Sequence, residues 1–546
     1  MPITAITIEN FKAIKEPIRI ELKPITLLFG PNSAGKSTII QVLHYAREIF
    51  ERQNLNPDRT LLGGETIDLG GFESLVYQHN KSLPIRMRFD LDIADENLPG
   101  YTTDSFAQFH FEYESDFRDI PSKVQTAWVE VSIIWSNLEN QPMIKCYNVG
   151  INGKIFAEIN ASADGRQIFI SKLNPINKLF LTDENNKEAL AALEMLFKNP
   201  EELNQDVMDR MGVFFWYIST MFKNGVPGVT APLSLLGQKT VLPGWGETLM
   251  IDPDAWVSDS TEEFDKHQDF EILLNMLIAG PGQLVRDGLH KLCYVGPLRE
   301  VPKRNHQPST TPDESRWSNG LAAYDTLFFA EEEFIAQVNA WLTQEEHLAT
   351  GYSVRVKQYR ELETDNPLAL AVLNDRVLDE DIDFKKSLLT LPVKRRLLIR
   401  DEARNIELAP QDIGVGISQV LPVIVAALNR RTGFVMIEQP ELHIHPAIQV
   451  ALGDLFIEQI RNSSDLTFIL ETHSEHLMLR LLRRIRETGE KTVPENKSLS
   501  PEELSIYFIE QGEEGISCQS IRVDQDGDFI NRWPHGFFAE RAEELF

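Results

Sequence analysis

Hydrophobic and polar residues alternate along much of the first third of the chain, which is the pattern of strands buried on one face only. Six segments show at least part of this alternation: Ile3–Ile8, Ile18–Leu22, Ile85–Ile93, Phe106–Tyr113, Thr126–Ile134 and Ile151–Ile159. The run Ile25–Phe29 is apolar, as in a buried strand. We expect an antiparallel layer with one solvent-facing side, in which the first two segments form a hairpin.

Near Asp183 the pattern changes to apolar residues at helical spacing, in a segment rich in Glu, Ala and Lys. The apolar residues concerned are Leu190, Leu193, Leu196 and Phe197. The stretch Gly225–Gly246 that follows has the composition of a loop. We interpret residues 176–290 as a mainly helical insertion.

Strands and helices alternate again from residue 291. Predicted strands are Leu292–Val295, Gly433–Ile437 and Leu466–Leu470, and predicted helices are Ile413–Asn429, Pro446–Ile460 and one from about Ala322. This order predicts a mainly parallel sheet covered by helices, which binds ligands beyond the carboxyl ends of its strands. The fold class is therefore α/β, with an antiparallel lobe (1–175), the insertion (176–290), a parallel lobe (291–490) and a β-containing extension (491–546).

A complete phosphate-binding loop, Gly30–Ser37, lies between the apolar strand Ile25–Phe29 and a helix-like stretch, Thr38–Phe50. Such a turn points backbone N–H groups at one spot, where the helix dipole also favours negative charge. The predicted ATP-binding residues are Asn32, Ser33, Ala34, Gly35, Lys36, Ser37 and Thr38. Lys36 would reach the β- and γ-phosphates, and the Ser37 hydroxyl would ligate Mg²⁺.

A second apolar strand ends in an acid at Glu438, which is the form of a Walker B element. We predict that Glu438 and Ser37 hold Mg²⁺ together. About 400 residues separate Glu438 from Lys36, so a long insertion divides the nucleotide domain. The next predicted strand ends just before His473, where an imidazole could approach a γ-phosphate.

Composition limits which partners, nucleic acid or membrane, the chain is expected to bind. The 546 residues are 42% hydrophobic and carry a formal charge of −29, which argues against a surface that wraps nucleic acid everywhere. Two basic stretches, Val393–Arg400 and Arg480–Arg486, are either local nucleic-acid contacts or ordinary ion-paired faces. No run reaches the roughly 18 apolar residues that a membrane span needs, and no signal peptide begins the chain, so we expect a cytoplasmic protein with no membrane partner.

The order of four motifs resembles that of the ABC-type ATPases of the RecF, SMC and OLD group. The motifs are Gly30–Ser37, Asp412–Gln419, Glu438–Pro446 and Glu471–Ser474. More narrowly, the chain resembles the ATPases of prokaryotic defence loci, including Septu-type subunits, in which Tyr294–Arg299 and Asn531–Phe538 also have counterparts. The resemblance implies an ABC/SMC-head-like P-loop fold that binds ATP and Mg²⁺.

The resemblance also implies residue roles. Glu438 would hold the metal, His473 would be the switch histidine, and the signature residues Gly414, Gly416 and Ser418 would close on the nucleotide of a partner subunit. A site completed in this way implies a homodimer or a higher homo-oligomer.

Two features depart from the family pattern. The family's signature core usually begins with Ser, which Gly414–Gly416 lacks, although Ser418 lies close by. Gln439 stands where these ATPases place the glutamate that activates water, and an amide cannot accept the proton. Glu441 is either a substitute base or a cap for the helix that follows. We predict catalytic positions at Glu438, Gln439, Glu441 and His473, and slow hydrolysis.

Weaker signals have two readings each. His443 and His445 would be a metal pair or ordinary packed residues, and Asp524–Asp526 a nuclease centre or a β-turn. Tyr294–Arg299, with Lys303 and Arg304, either reaches a phosphate or anchors a loop.

The leading hypothesis is a regulatory ATPase subunit of a bacterial antiviral defence or toxin–antitoxin-like complex. Its nucleotide state would control a separate effector such as an HNH nuclease, and nucleic acid would be met through the complex. The alternative is a RecF/SMC-like ATPase of DNA repair that clamps DNA through the two basic stretches.

Overall fold

A computed structural model describes most of the chain. The described residues are 2–52, 69–94, 97–100, 110–112, 115, 117–174, 179, 222, 232–256, 261–304, 308–309, 314–366, 369–370, 373, 388–512 and 515–534. Two main sheets and a small third sheet organise them. Within these residues no helix is long and apolar enough to cross a membrane.

The first sheet has nine antiparallel strands in the order β10-β9-β8-β7-β6-β5-β4-β1-β2. The strands are β1 (Ile3–Glu9), β2 (Ile18–Glu21), β4 (Ile85–Asp92), β5 (Thr126–Ser136), β6 (Gln141–Ile151), β7 (Lys154–Ala161), β8 (Ile168–Leu173), β9 (Leu233–Leu236) and β10 (Met250–Ile251). The predicted hairpin is confirmed, since β1 pairs with β2 from Ala5 opposite Glu21 to Ile8 opposite Ile18.

Two strand predictions in this sheet were wrong. Ile151–Ile159 is interrupted by a tight turn at Asn152 and Gly153, both of which have positive φ (48° and 81°). Asn-Gly favours this hairpin turn, which joins β6 to β7. The segment Phe106–Tyr113 is helical where it is described, at 110–112.

The described part of the predicted insertion packs onto the first sheet. Strands β9 and β10 extend it, and the helix α3 (Thr261–His290) contributes Phe270 and Leu277 to the same core. Tyr147 of β6 donates a hydrogen bond to the α3 carbonyl of Ile278 at 2.7 Å. The apolar spacing at Leu190–Phe197 lies outside the described residues, and the domain boundaries stay a prediction.

The second sheet is parallel except at one edge hairpin, in the order β11-β15-β16-β3-β17-β18. The strands are β3 (Ile25–Phe29), β11 (Cys293–Val295), β15 (Gly433–Glu438), β16 (Leu466–Glu471), β17 (Leu504–Gly512) and β18 (Gly515–Ile521). The N-terminal strand β3 is inserted between β16 and β17, so the two ends of the chain share one sheet. This confirms the α/β fold with an antiparallel and a mainly parallel lobe.

Helices cover both sheets. They are α1 (Lys36–Arg52), α2 (Phe72–Leu75), α3, α4 (Leu321–Phe329), α5 (Glu332–Thr343), α6 (Val415–Asn429), α7 (Pro446–Asn462) and α8 (Glu475–Gly489), and a small antiparallel sheet is formed by β12 (Tyr352–Tyr359), β13 (Lys394–Asp401) and β14 (Ile406–Leu408). Strand β3 is buried on both faces, with Leu28 in one hydrophobic core and Leu27 and Phe29 in the other. The strand that carries the phosphate loop is therefore clamped between the two lobes.

Candidate nucleotide site

The phosphate loop turns from β3 into α1 through two glycines that the packing requires. Both have positive φ, 149° at Gly30 and 95° at Gly35. A Cβ at Gly30 would lie 2.0 Å from the carbonyl oxygen of Ile509, and one at Gly35 would lie 2.1 Å from Ile516. Asn32 and Ser33 are exposed in the loop, whereas Ala34 and Thr38 are buried. The loop thus presents its backbone at the start of a 17-residue helix, where anions are favoured.

Lys36 is folded into the loop. Its side chain is 3% exposed, and its ammonium donates to the carbonyl oxygens of Gly30 at 3.1 Å and Pro31 at 2.8 Å. Burial lowers the pKa of Lys36, while the nearby charge of Glu471, 3.8 Å away, opposes that shift. Phosphate oxygens placed in the loop would compete with these two carbonyls for the same ammonium.

Two acids meet the hydroxyl of Ser37. Glu438 ends β15, Glu471 ends β16, and the register places the two residues side by side. Ser37 Oγ donates to Glu471 Oε2 at 2.7 Å and lies 3.4 Å from Glu438 Oε2. Burial raises the pKa of Glu438 to about 7, and the neighbouring charge of Glu471 adds to the rise. Burial raises the pKa of Glu471 as well. A cation beside the two carboxylates would offset the cost of burying their negative charges.

The donor set fits Mg²⁺. One hydroxyl and two carboxylates are oxygen ligands, and Mg²⁺ is usually held by one or two carboxylates with substrate phosphates and water. Within the described residues, no group of three His, Cys, Asp or Glu side chains is placed to hold a metal, so an ion here would also need Ser37 and phosphate oxygens. Glu471 was not predicted as a site residue, although its place at the end of the strand next to β15 was a usable signal.

Gln439 directly follows Glu438 and has a left-handed backbone, with φ of 46°. Its N–H donates to the carbonyl oxygen of Glu471 at 2.7 Å, which joins the ends of β15 and β16. The amide side chain of Gln439 takes part in none of the hydrogen bonds of the described residues. A residue at this place can orient water, but Gln cannot take its proton.

Glu441 holds the segment that carries the switch histidine. Its Oε2 accepts from Thr472 Oγ1 at 2.8 Å, and its Oε1 accepts from the His473 N–H at 2.7 Å. Glu441 does not cap the following helix, because His445 caps α7 by accepting from the Ala447 N–H at 3.2 Å. Both carboxylate oxygens of Glu441 are engaged, which favours positioning over proton transfer.

His473 keeps one ring nitrogen without a partner. Its Nε2 is buried and makes no hydrogen bond within the described residues. Burial lowers the pKa of His473, and the positive charge of Lys36 lowers it further. In a neutral imidazole this Nε2 can carry a proton and donate one hydrogen bond to a phosphate oxygen, which is what the switch role requires.

The signature segment is only partly presented to solvent. Gly414 precedes α6 as its N-cap, and Val415 is 56% exposed. Ser418 is 2% exposed, and its hydroxyl donates to the Val415 carbonyl at 2.8 Å, so the hydroxyl is engaged within the chain and its contact with a partner's nucleotide stays a prediction. The backbone at Gly414 and Gly416 stays accessible, because the first turn of a helix leaves its N–H groups unpaired.

The structure decides between readings for the segment Tyr294–Arg299. The Tyr294 hydroxyl donates to Glu438 Oε1 at 2.9 Å, and the guanidinium of Arg299 donates to the Glu438 carbonyl at 2.7 Å. These residues anchor the Walker B strand. Lys303 and Arg304 lie exposed further along the loop.

The basic stretch Arg480–Arg486 on α8 is neutralised within the chain. Arg480 and Arg484 both pair with Asp454 of α7, and Arg483 pairs with Glu487. Arg486 donates to the carbonyl oxygen of Asp526 at 2.8 Å. The ion-paired reading of this stretch is confirmed.

Asp524–Asp526 forms the predicted turn. The Asp524 carboxylate accepts from the backbone N–H groups of Asp526 and Asp528 at 3.0 and 2.9 Å, and Gly527 has φ of 75°. Asp favours such a turn because its side chain accepts from nearby backbone N–H groups, and Gly favours it because it adopts a positive φ at no steric cost. The turn therefore packs against α8 rather than forming a nuclease centre.

Comparisons with known families agree with this geometry. A model of an AAA ATPase domain matches residues 1–272, and a second model, an AAA domain described with AbiEii-like toxins of type IV toxin–antitoxin systems, matches residues 303–479. A family of unknown function matches residues 499–546. A search of curated proteins found no match.

Several solved structures are similar over their whole length, at low scores. The SMC head bound to the C-terminal winged-helix domain of ScpA has a TM-score of 0.35 and 8% identity, covering 96% of this chain and 99% of that chain. An SMC head with ScpA from Pyrococcus furiosus has a TM-score of 0.34, 10% identity and coverage of 100% and 98%. The SMC head from Thermotoga maritima has a TM-score of 0.34, 9% identity and coverage of 96% and 100%.

The functional assignment rests on the site and the family models. A glycine-rich loop, a buried lysine and a pair of strand-end acids form one nucleotide-binding constellation at the carboxyl edge of the parallel sheet. Both halves of this constellation lie in segments that match AAA domains. The chain is therefore a P-loop ATPase with AAA-type domains.

Proposed function

We propose that this chain is the ATP-binding regulatory subunit of a bacterial antiviral defence or toxin–antitoxin-like complex. It binds ATP with Mg²⁺ in the cytoplasm, assembles as a homodimer or a higher homo-oligomer, and controls a separate effector such as an HNH nuclease. The observation that carries the proposal is a phosphate loop whose Ser37 meets two strand-end acids, with Gln439 where a general base would stand. Such a site favours holding ATP over rapid turnover.

Two further observations support the regulatory reading. The exposed start of α6 at Gly414 and Val415 offers unpaired helix N–H groups that a partner's γ-phosphate would fit. The family model that matches residues 303–479 is described with AbiEii-like toxins, which supports a place in a defence or toxin–antitoxin system. ATP then works as a clamp between subunits.

Nucleotide-dependent assembly tests this function. With saturating ATP and Mg²⁺, the wild-type chain is expected to double its mass in solution or to form a larger particle, because ATP bridges two subunits. Lys36→Ala should remain at the nucleotide-free mass, since it loses the phosphate contact. Mass photometry measures both.

The lysine variant Lys81→Ala is the matched control, because the half-buried Lys81 pairs with Glu73 on the other lobe and lies over the Trp135 ring. It should assemble like the wild type. A wild-type mass that does not change while ATP occupies the site would refute the clamp. Co-purification of the wild-type chain with the product of a neighbouring gene would identify the effector.

DNA clamping through α8 is the competing function. Because the arginines of this helix are already paired within the chain, Arg483→Ala with Arg486→Ala should change DNA affinity by less than about twofold, and the salt dependence should not change. Fluorescence anisotropy over a salt series measures this. The matched control replaces Arg118 and Arg166, which are exposed on the antiparallel lobe. A steep salt dependence that only the α8 variant abolishes would favour the clamp.

A further inference from the structure

The segment Tyr294–Arg299, called the linking segment, leaves the edge strand β11 and holds the Walker B residue in two ways. Its tyrosine fixes the carboxylate, since the hydroxyl of Tyr294 lies 2.9 Å from Glu438 Oε1. Its arginine fixes the backbone, because Arg299 Nη2 donates to the carbonyl oxygens of Glu438 at 2.7 Å and Gln439 at 3.1 Å. The linking segment therefore sets both the side chain and the backbone at the end of β15.

The same arginine is fastened to the signature helix α6. Arg299 and Gln419 exchange hydrogen bonds, with the Arg299 N–H 3.3 Å from Gln419 Oε1 and the Gln419 amide donating to the Arg299 carbonyl at 2.8 Å. A third bond runs from Arg299 Nη1 to the Gln419 carbonyl at 3.2 Å. Three hydrogen bonds thus tie the linking segment to α6.

The hydrogen bonds between Arg299 and Gln419 lie in the protein interior. Arg299 is 4% exposed and Gln419 is 7% exposed, and within the described residues Arg299 forms no ion pair with a carboxylate. Burial lowers the pKa of Arg299 to about 10, so the guanidinium is still charged at neutral pH. The two Nη atoms donate to carbonyl groups, whereas the buried Nε has no partner among the described residues. A buried cation held in this way is costly compared with apolar packing. Its geometry, rather than its contribution to stability, explains its presence.

The helix α6 connects its exposed start to Gln419. Val415 is 56% exposed at the first turn, and Gln419 lies one turn further along. From Ile417 to Leu428 every residue is buried, so this part of the helix is closely packed against its surroundings. Hydrogen bonds thus run without a break from the first turns of α6 through Gln419 and Arg299 to Glu438.

We propose that Arg299 and Gln419 form a link that couples engagement of the signature end of α6 to the position of Glu438 and Gln439. Arg299 is a positioning residue, because it acts through the backbone of these residues. The link works in both directions, so nucleotide and metal at Glu438 also change the signature end. This inference rests on the proposed function to the extent that a second subunit supplies the engagement.

The chain offers a matched pair of variants for the test. Gln419→Leu removes the two bonds between the Gln419 side chain and the Arg299 backbone. Asn339→Leu removes the same kind of reciprocal pair, in which Asn339 of α5 donates to the Val354 carbonyl at 2.9 Å and accepts from the Val354 N–H at 2.7 Å. The second pair lies in the same lobe and joins α5 to β12, with no contact to the nucleotide residues.

The first measurement is amide hydrogen exchange of peptides covering 414–420, at protein concentrations where mass photometry finds only monomer. In the wild type and in Asn339→Leu, ATP with Mg²⁺ should change the exchange rate of this helix start. In Gln419→Leu and Arg299→Lys the change should be lost, and in Gln419→Leu the ATP affinity measured by calorimetry should stay within about threefold of the wild type. The lysine keeps the charge of Arg299 but cannot make its forked contacts.

The second measurement compares ATP affinity in monomeric and assembled protein. Coupled sites typically change each other's affinity about 5- to 150-fold. The wild type should fall in this range, and Gln419→Leu should fall below about threefold. An ATP response at 414–420 that survives in Gln419→Leu and Arg299→Lys would overturn the link. If the wild type does not assemble with ATP, the proposed function fails, whereas the exchange measurement on monomer still decides the link.

Discussion

Replacing Gln439 with glutamate should accelerate ATP hydrolysis about 100- to 10,000-fold, which is the usual contribution of a positioned general base. Glutamate has nearly the size and shape of glutamine, so it can occupy the same left-handed backbone position next to Glu438. The carboxylate would accept the proton of the attacking water, which the amide cannot do. Phosphate release at saturating ATP measures the change.

The gain should lie near the lower end of this range. A third carboxylate beside Glu438 and Glu471 raises its own pKa, because like charges in a buried site oppose ionisation. The control Gln358→Glu adds the same charge at an exposed position on β12 and should leave the rate unchanged. A second control, Gln439→Glu combined with Lys36→Ala, should be inactive.

Two results would contradict the prediction. A wild-type rate well above about one per second would show that a base is already present. An unchanged rate in folded, ATP-binding Gln439→Glu would show that water is not activated from this position. If the rate does rise, the ATP-held assembly should also dissociate faster, because product forms sooner.

Replacing Glu471 with glutamine should have opposite effects on stability and on nucleotide binding. Without nucleotide, Glu471 lies beside Glu438 at the edge of the sheet, and burial penalises both charges. Removing one charge should stabilise the folded chain by about 1–3 kcal/mol at pH 8. Removing a metal ligand should weaken Mg²⁺-dependent ATP binding about 10- to 100-fold. Thermal unfolding and calorimetry measure the two effects.

The pH dependence of stability follows from the same pair. Glu438 has a folded-state pKa of about 7 against an ordinary value of 4.5, so the folded state binds the proton more tightly than the unfolded state. Stability without nucleotide should therefore fall as the pH rises from about 4.5 through 7. Glu471→Gln lowers the repulsion and should flatten this fall.

Glu458→Gln is the control for the effects of Glu471→Gln on stability and on Mg²⁺-dependent ATP binding. Glu458 is also a carboxylate whose pKa burial raises, but it pairs with Lys497 at 3.6 Å on the far side of α7. It should not change Mg²⁺-dependent ATP binding. A variant at Glu471 that binds Mg²⁺ and ATP like the wild type would remove Glu471 from the metal site.

The sequence determined the parts of this protein that depend on contiguous residues. The phosphate loop was predictable because strand, turn and helix follow one another within residues 25–52. Buried strands such as β15 and β16 were predictable because parallel strands are apolar on both faces. The turn at Asp524–Asp526 followed from local side-chain hydrogen bonds, and Gln439 was identified from its place after a strand-end acid.

Only the tertiary structure decided which distant residues meet. Long-range packing brings Glu471 into hydrogen-bond contact with Ser37 and buries Ser418. It also pairs Asp454 of α7 with arginines of α8. The tertiary structure also showed that Arg299 serves Glu438 and Gln419 at once. The physical reason is that β3 is inserted between β16 and β17 by packing and strand pairing, which no local pattern encodes. Sequence therefore determined that the chain has a phosphate loop and a Walker B strand, and long-range packing decided which side chains surround them.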